Sequence, residues 1–253
     1  MLTTLSLCLP ILLSLSVQDD DPEPQPPTKE QVETAVEQIE DALEAEDSDA
    51  VLAAVQAAIS VPHEDVVDAL ADAATNFELR DVSGAAIDAL GRIDHEDAVG
   101  KLTRLHSRQS KRIEEDPDWA IGLFRALGRT GDLKALEALA KGSLNGQVLK
   151  LDKARILSIG KIRHPEAVEE LVGLYNKVRQ NETHKYSEVM RTSVAALTGV
   201  DFGGGRNAMI EWWNDNKRSL ELPEEEPEIE ARKLRMTWEG FWNDRKQKEG
   251  GRR

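Results

Sequence analysis

Cysteine is almost missing from this chain. The single one, Cys8, stands in the first apolar stretch, so the rest of the chain has no disulfide, thiolate nucleophile or cysteine-bound zinc. Aromatic residues make up only 4% of the 253 residues. Few stretches alternate apolar with polar positions over β-branched or aromatic side chains, which leaves a sheet without its signal. No phosphate loop is present either: the GGG at 203–205 is followed by no Lys-Ser/Thr pair and preceded by no strand. Hydroxyls are scattered and nothing fixes a nucleophile elbow or a Ser-His-Asp order. Carboxylates are too common to nominate one pair for acid–base work. Basic residues are scarce in the first part of the chain. From Asp19 to Gly100 there are 23 acidic and 3 basic residues, a net of −20. From Lys101 to Arg253 there are 24 acidic and 29 basic, a net of +5, and the two parts recover the overall −15. Such an acidic front repels phosphates, and the mild positive balance that follows is no nucleic-acid footprint.

What the chain does have is a phrase said four or five times. It reads ALGRIDHEDAVGKL at 89–102, ALGRTGDLKALEAL at 126–139 and SIGKIRHPEAVEEL at 158–171. A looser copy, AISVPHEDVVDAL, stands at 58–70, and a decorated one, ALTGVDFGGGRNAMIEWW, at 196–213. Gly91, Gly128 and Gly160 are 37 and 32 residues apart, and Ser60 takes the same place 31 residues before Gly91. Self-similarity at this period indicates stacked two-helix units, each burying one stripe on its partner and another on the next pair.

Start and stop signals divide the chain into about twelve helices. Thr28 opens TKEQ, a capping box, and Val32, Ala35, Val36, Ile39 and Leu43 follow at helical spacing, predicting a helix over 29–46. Ser48 is read as the cap of 49–60, Pro62 as the break before 63–76, Asp81 as the cap of 82–92 and Asp94 as the cap of 95–113. Asp116-Pro117 starts the helix ending at LGRT, and Asp132 opens one that Gly142 closes. GSLNG at 142–146 is a loop, and helices follow over about 147–161, 165–180, 185–198 and 206–218. ELPEEEPE at 221–228 is a polar break before a last charged helix at 229–247. Short connections make neighbours antiparallel.

The phrase ALGR-(I/T)-x-x-x-(D/E)-A-(V/L)-x-x-L resembles the HEAT-repeat family, in the short bacterial form also seen in phycobilin-lyase-like proteins. The resemblance covers roughly 50–218. It implies an all-α superhelix, a HEAT-like solenoid of about five helix pairs in the array 29–220, in which second helices line the concave side. Gly91, Gly128 and Gly160 are expected to end the first helices in a left-handed conformation, with Asp94, Asp132 and His164-Pro165-Glu166 opening the second. The fold carries no single function, since such arrays have many unrelated roles.

Several places invite a functional reading. His63-Glu64, His95-Glu96 and the His164/Glu166 copy are similar to the repeated pairs of HEAT-like di-iron hydroxylases, where imidazole and carboxylate suit iron. Here the pairs open the second helix, proline splits the third, and the copy at 132 has no histidine. They read as first-turn residues, and no metal or other cofactor is assigned. Lys101, Arg104, Arg108, Lys111 and Arg112 lie three and four apart along one second helix, as a stripe for an acidic partner or a polyanion. His106 stands alone on that helix and is expected to be exposed. Trp212 and Trp213 would cover the open end of the array. Leu234, Trp238, Phe241 and Trp242 fall on one face of the last helix, to pack back on the array or to dock a partner through Trp238 and Trp242. Asn181-Glu182-Thr183 is a glycosylation sequon, relevant only in a eukaryotic secretory pathway.

Residues 1–17 carry no charged side chain, and an acidic, proline-rich run follows. Shorter than the about 20 residues of a membrane span, they suit a cleaved signal over 1–18, with an N-terminal anchor as the alternative. Residues 19–28 read as a disordered linker and 221–253 as a charged C-terminal helix and tail. Taken together, the sequence predicts an exported, non-enzymatic scaffold with no membrane span in the mature chain, binding an unknown protein partner through an extended surface. The alternative is a HEAT-like enzyme or enzyme-associated factor of the lyase or His-Glu metal-hydroxylase kind.

Overall fold

A computed structural model of the chain describes residues 26–144 and 146–243. The expected signal over 1–18, most of the linker and the end of the tail lie outside the described residues. Within them every regular element is helical and no strand occurs. The helices are α1 (Lys29–Glu44), α2 (Ser48–Ala58), α3 (Glu64–Thr75), α4 (Arg80–Leu90), α5 (Glu96–Arg108) and α6 (Ser110–Glu115). They continue with α7 (Pro117–Thr130), α8 (Leu133–Ala140), α9 (Leu149–Ile159) and α10 (Pro165–Lys177). After a 3₁₀ turn (Gln180–Lys185) come α11 (Ser187–Thr198), α12 (Arg206–Asn216) and α13 (Arg232–Trp242). None is long and apolar enough to cross a membrane.

Contacts sort the helices into two layers. Helices α2, α4, α7, α9 and α11 each pack on the next and form the A layer; α1, α3, α5, α8, α10 and α12 likewise each pack on the next and form the B layer. Apart from the short α6, successive helices alternate between layers, so each A-layer helix and the B-layer helix after it form one unit. The continuous core is mostly small and aliphatic: alanine, valine and leucine at the facing positions, with Ile39, Leu70, Leu102, Leu127 and Ile159 sealed from solvent. Small residues let helices approach closely, and the dispersion gained over many such contacts holds the stack.

The glycines of the repeated phrase mark where that approach is tightest, and they correct the expected left-handed turn. Gly91 and Gly160 have φ of −78° and −62°, and Gly128 lies inside α7. A Cβ on Gly91 would stand 2.6 Å from the Ala126 Cα of α7. On Gly128 it would meet the Ser158 carbonyl oxygen of α9 at 2.7 Å, and on Gly160 the Ser193 Cβ of α11 at 2.6 Å. Helices α4, α7 and α9 therefore each carry, at or near the C-terminal end, a glycine pressed against a small residue of the next helix in the layer: Ala126, Ser158, Ser193. The left-handed conformation is used elsewhere, at the C-caps Gly131 and Gly199, with φ of 67° and 75°. Hydrogen bonds reinforce the seam. Ser193 Oγ donates to the Ile156 carbonyl at 2.9 Å, while Ser83 Oγ donates to Ala74 O and accepts from Trp119 Nε1.

Helix starts follow the expected chemistry with changed residues. Thr28 and Gln31 form the capping box, and Asp116 and Asp132 cap α7 and α8. Asp47 caps α2 in place of Ser48, and α4 begins with no side-chain cap although Asp81 was expected to supply one. Asp94 is displaced by its neighbour: His95 Nδ1 accepts from the Asp97 amide at 3.2 Å. His63 and His164 do the same for the amides of Asp65 and Glu166, both at 3.2 Å. An imidazole nitrogen with a free lone pair serves where a carboxylate or hydroxyl usually does.

The expected helix 95–113 is broken at Gln109 into α5 and α6. The break turns Arg112 inward, where its guanidinium lies 4.1 Å from the Phe77 ring centre and 5.2 Å from that of Trp119. The Arg112–Asp116 ion pair at 3.7 Å adds to these cation–π contacts. At the C-terminus, α13 packs along α11 and touches α9, so it lies on the A layer.

Candidate functional site

Helix α5 divides the B-layer surface into two grooves. Its apolar stripe, Ala98, Val99, Leu102 and Leu105, is buried, which leaves one flank towards α3 and the other towards α8. On the α3 flank, Lys101, Arg104 and Arg108 line a groove of about 230 Å³ with Ala71, Ala74 and Leu90 below them. Lys101 is tied to Asp68 of α3. Arg104 and Arg108 are exposed, and no described carboxylate forms an ion pair with either. Asp72 shares the wall, so two guanidiniums and one carboxylate face the opening. The predicted stripe does not continue past the break. Lys111 is exposed and pairs with Glu115 on its own helix at 3.6 Å, and Arg112 is withdrawn onto the Phe77 and Trp119 rings.

The α8 flank was not foreseen. Thr103, His106, Ser107, Ile113, Lys134 and Lys141 are among the residues around a second groove of about 590 Å³. Beside it lies a smaller recess lined by Phe124, Leu151 and Arg155, with Ile113 and Glu114 shared between the two. His106, expected to be exposed, is half-buried with its ring 5.8 Å from that of Phe124. Burial first, then the positive charges of Arg155 and Lys141, hold the imidazole below its usual range. Asp152 also lines the recess; it is 7% exposed and accepts from the Tyr186 hydroxyl at 2.8 Å and the Gly146 amide at 2.9 Å. Burial and the Asp152 carboxylate push the Tyr186 phenol upwards, so it stays a donor. This pair ties the 141–148 loop to the start of α11.

The remaining candidates are scattered. His63, His95 and His164 each cap a different helix, and among the described residues no three His, Cys, Asp or Glu side chains gather as metal ligands. Trp238 is 8% exposed and donates from Nε1 to Glu226 at 2.8 Å. Trp242 is half-buried, 5.5 Å from Trp238 and 5.8 Å from the Arg129 guanidinium of α7. Both rings are thus turned against this chain's own A layer. Trp212 and Trp213 are half-buried on α12, packed against the core.

No family model matches the chain, and no curated protein matches it.

Arg155 and Asp152 escaped the sequence reading because α9 has a weak amphipathic pattern and polar groups fall on its buried side. The one available signal was the irregular GSLNG segment, which lengthens the connection and lets α9 present these groups to a neighbouring groove. His106, expected to be exposed, sits one residue beyond Leu105 at the edge of the buried stripe, and that position was the overlooked signal for its partial burial.

Proposed function

We propose that this chain is a HEAT-like, non-enzymatic interaction scaffold, exported or anchored by its N-terminal segment, that grips an acidic protein partner on its B layer. The observation that carries the reading is the α3–α5 groove, in which Arg104 and Arg108 stand exposed without ion-pair partners over an apolar floor. A guanidinium fork matches a carboxylate in two parallel hydrogen bonds, and a four-residue spacing puts two forks on one helix face. An extended partner whose acidic side chains meet Arg104 and Arg108 would lay apolar side chains over Ala71 and Leu90. The close seam of Gly91, Gly128 and Gly160 supports the same reading, since a tightly packed stack presents such a groove in one fixed shape.

The test is site-specific photo-crosslinking in the native host. A crosslinker at the exposed Thr75, on the groove rim, should capture a partner, and the same crosslinker at Met236 on α13 should not. Capture at Thr75 that survives Arg104→Glu with Arg108→Glu would overturn the reading.

A further inference from the structure

We infer that the groove between α5–α6 and α8, with the adjacent recess over α9, is a binding site for a small organic oxyanion: an apolar body bearing a carboxylate or phosphate. This site is separate from the Arg104/Arg108 groove and does not rest on the scaffold reading.

The first observation is the state of Arg155. Its guanidinium walls the recess, yet no described carboxylate lies within ion-pair distance of it. Nη2 reaches only the Gly142 carbonyl at 3.4 Å, and Nε is buried without a hydrogen bond. Asp152, one turn earlier on α9, is hydrogen-bonded by Tyr186 and Gly146 and acts on Arg155 only through space, offsetting part of the cost of burial. A half-buried cation left in this condition is unfavourable, and burial accordingly weakens its hold on the proton. An incoming oxyanion relieves that condition and gains charge-assisted hydrogen bonds.

The second observation is that positive groups gather at one end of the groove. Lys141 is exposed at the rim, in no ion pair among the described residues, and together with Arg155 it acts on His106. Lys134 and Glu137 stand on α8, and Glu114 stands on the wall shared with the recess. Those two carboxylates, with Asp152 in the recess, limit the charge that fits: one oxyanion at the Lys141–Arg155 end, not a polyanion. The third observation is apolar floor beside the cations, from Phe124, Leu151 and Ile113. Its combined size, about 590 and 180 Å³, suits a body of ring size.

The feature is built where the repeat is broken. The 37-residue spacing between Gly91 and Gly128 accommodates α6, which forms one wall, and Lys141, Ser143, Gln147 and Val148 form another. Both insertions follow B-layer helices, so they lie at the same edge of the stack.

Titration of the full chain with phenyl phosphate and with benzoate, followed by calorimetry and by the His106 Cε1–H resonance, tests the site. Saturable binding of one probe, with movement of the His106 resonance, is expected, and the stronger probe distinguishes phosphate from carboxylate. Benzyl alcohol, the uncharged control, should not bind. Arg155→Gln should weaken the preferred probe roughly tenfold, the scale of one charge-assisted contact. Lys141→Gln, an exposed change that the fold tolerates, should weaken it several-fold and serves if Arg155→Gln fails to fold. Two results would overturn the proposal. One is no saturable binding of either probe up to about 10 mM, the weak limit for a site of this kind. The other is equal affinity in wild type and Lys141→Gln.

Discussion

Two glycines in α7 have opposite surroundings and predict opposite consequences. Gly128 would place a Cβ against the Ser158 carbonyl, whereas Gly122, one and a half turns earlier, has nothing within 4 Å of its Cβ position. Gly128→Ala should therefore lower stability by about 1–3 kcal/mol, since backbone must move to admit the methyl. Gly122→Ala should raise it by up to about 1 kcal/mol through helix propensity alone. Urea denaturation of the two variants checks both signs. His95→Ala should cost about 0.5–2 kcal/mol by removing the α5 cap, while His95→Asn retains most of it. His106 carries a pH dependence. Its lowered folded value means that the unfolded chain holds a proton which the folded chain has released, so stability falls as pH drops below about 6.5. Thermal unfolding between about pH 7 and 5 should show a shallower slope in His106→Gln.

Helices were largely legible in the sequence, and their contacts less so. The capping box at Thr28, the Asp116-Pro117 start and the twofold loop signal at GSLNG all lie where patterning puts them, because these depend on residues within one turn. The break at Gln109 does not depend on near neighbours: it follows from Phe77 and Trp119, which lie outside α5 and α6 and hold Arg112. The same reason hid the role of the glycines. In sequence, Gly91, Gly128 and Gly160 stand next to helix ends and suggest turns; in space each answers to a small residue 30–35 positions later. Helix α13 makes this scale testable. Lys233 pairs with Glu188 at 2.5 Å, Thr237 donates to Glu188 at 2.8 Å, and Leu234 is buried along with Trp238. Trp238→Ala should cost on the order of 3 kcal/mol, as for a large aromatic removed from a core, with an unfolding midpoint shifted to lower urea.

Across the whole molecule, regularity and irregularity divide the work. Positions that obey the repeat build the stack: alanine, valine and leucine in the core, glycine against alanine or serine along the A layer. Positions that break it create surface features: α6, the 141–148 loop and the 3₁₀ turn that bears the exposed Asn181. The charge division belongs to this scale too. α5, with Arg104 and Arg108, begins the part with net positive charge and packs on α3, which is strongly acidic. Attraction for an acidic partner is therefore short-range, from Arg104 and Arg108 against an acidic background, and salt with a Debye length of about 10 Å at 0.1 M should screen it. The α3 flank of the site was readable from three- and four-residue spacing; the α8 flank needed the third dimension, since α5, α6, α8 and α9 each contribute to it. The most direct test of the account is the affinity of the partner captured at Thr75 for wild type and for Arg104→Glu/Arg108→Glu, measured across a salt series. The account predicts affinity that falls steadily with salt in wild type and is lost by tenfold or more on charge reversal, with unchanged thermal unfolding. A salt-insensitive affinity, equal in the two proteins, would contradict it.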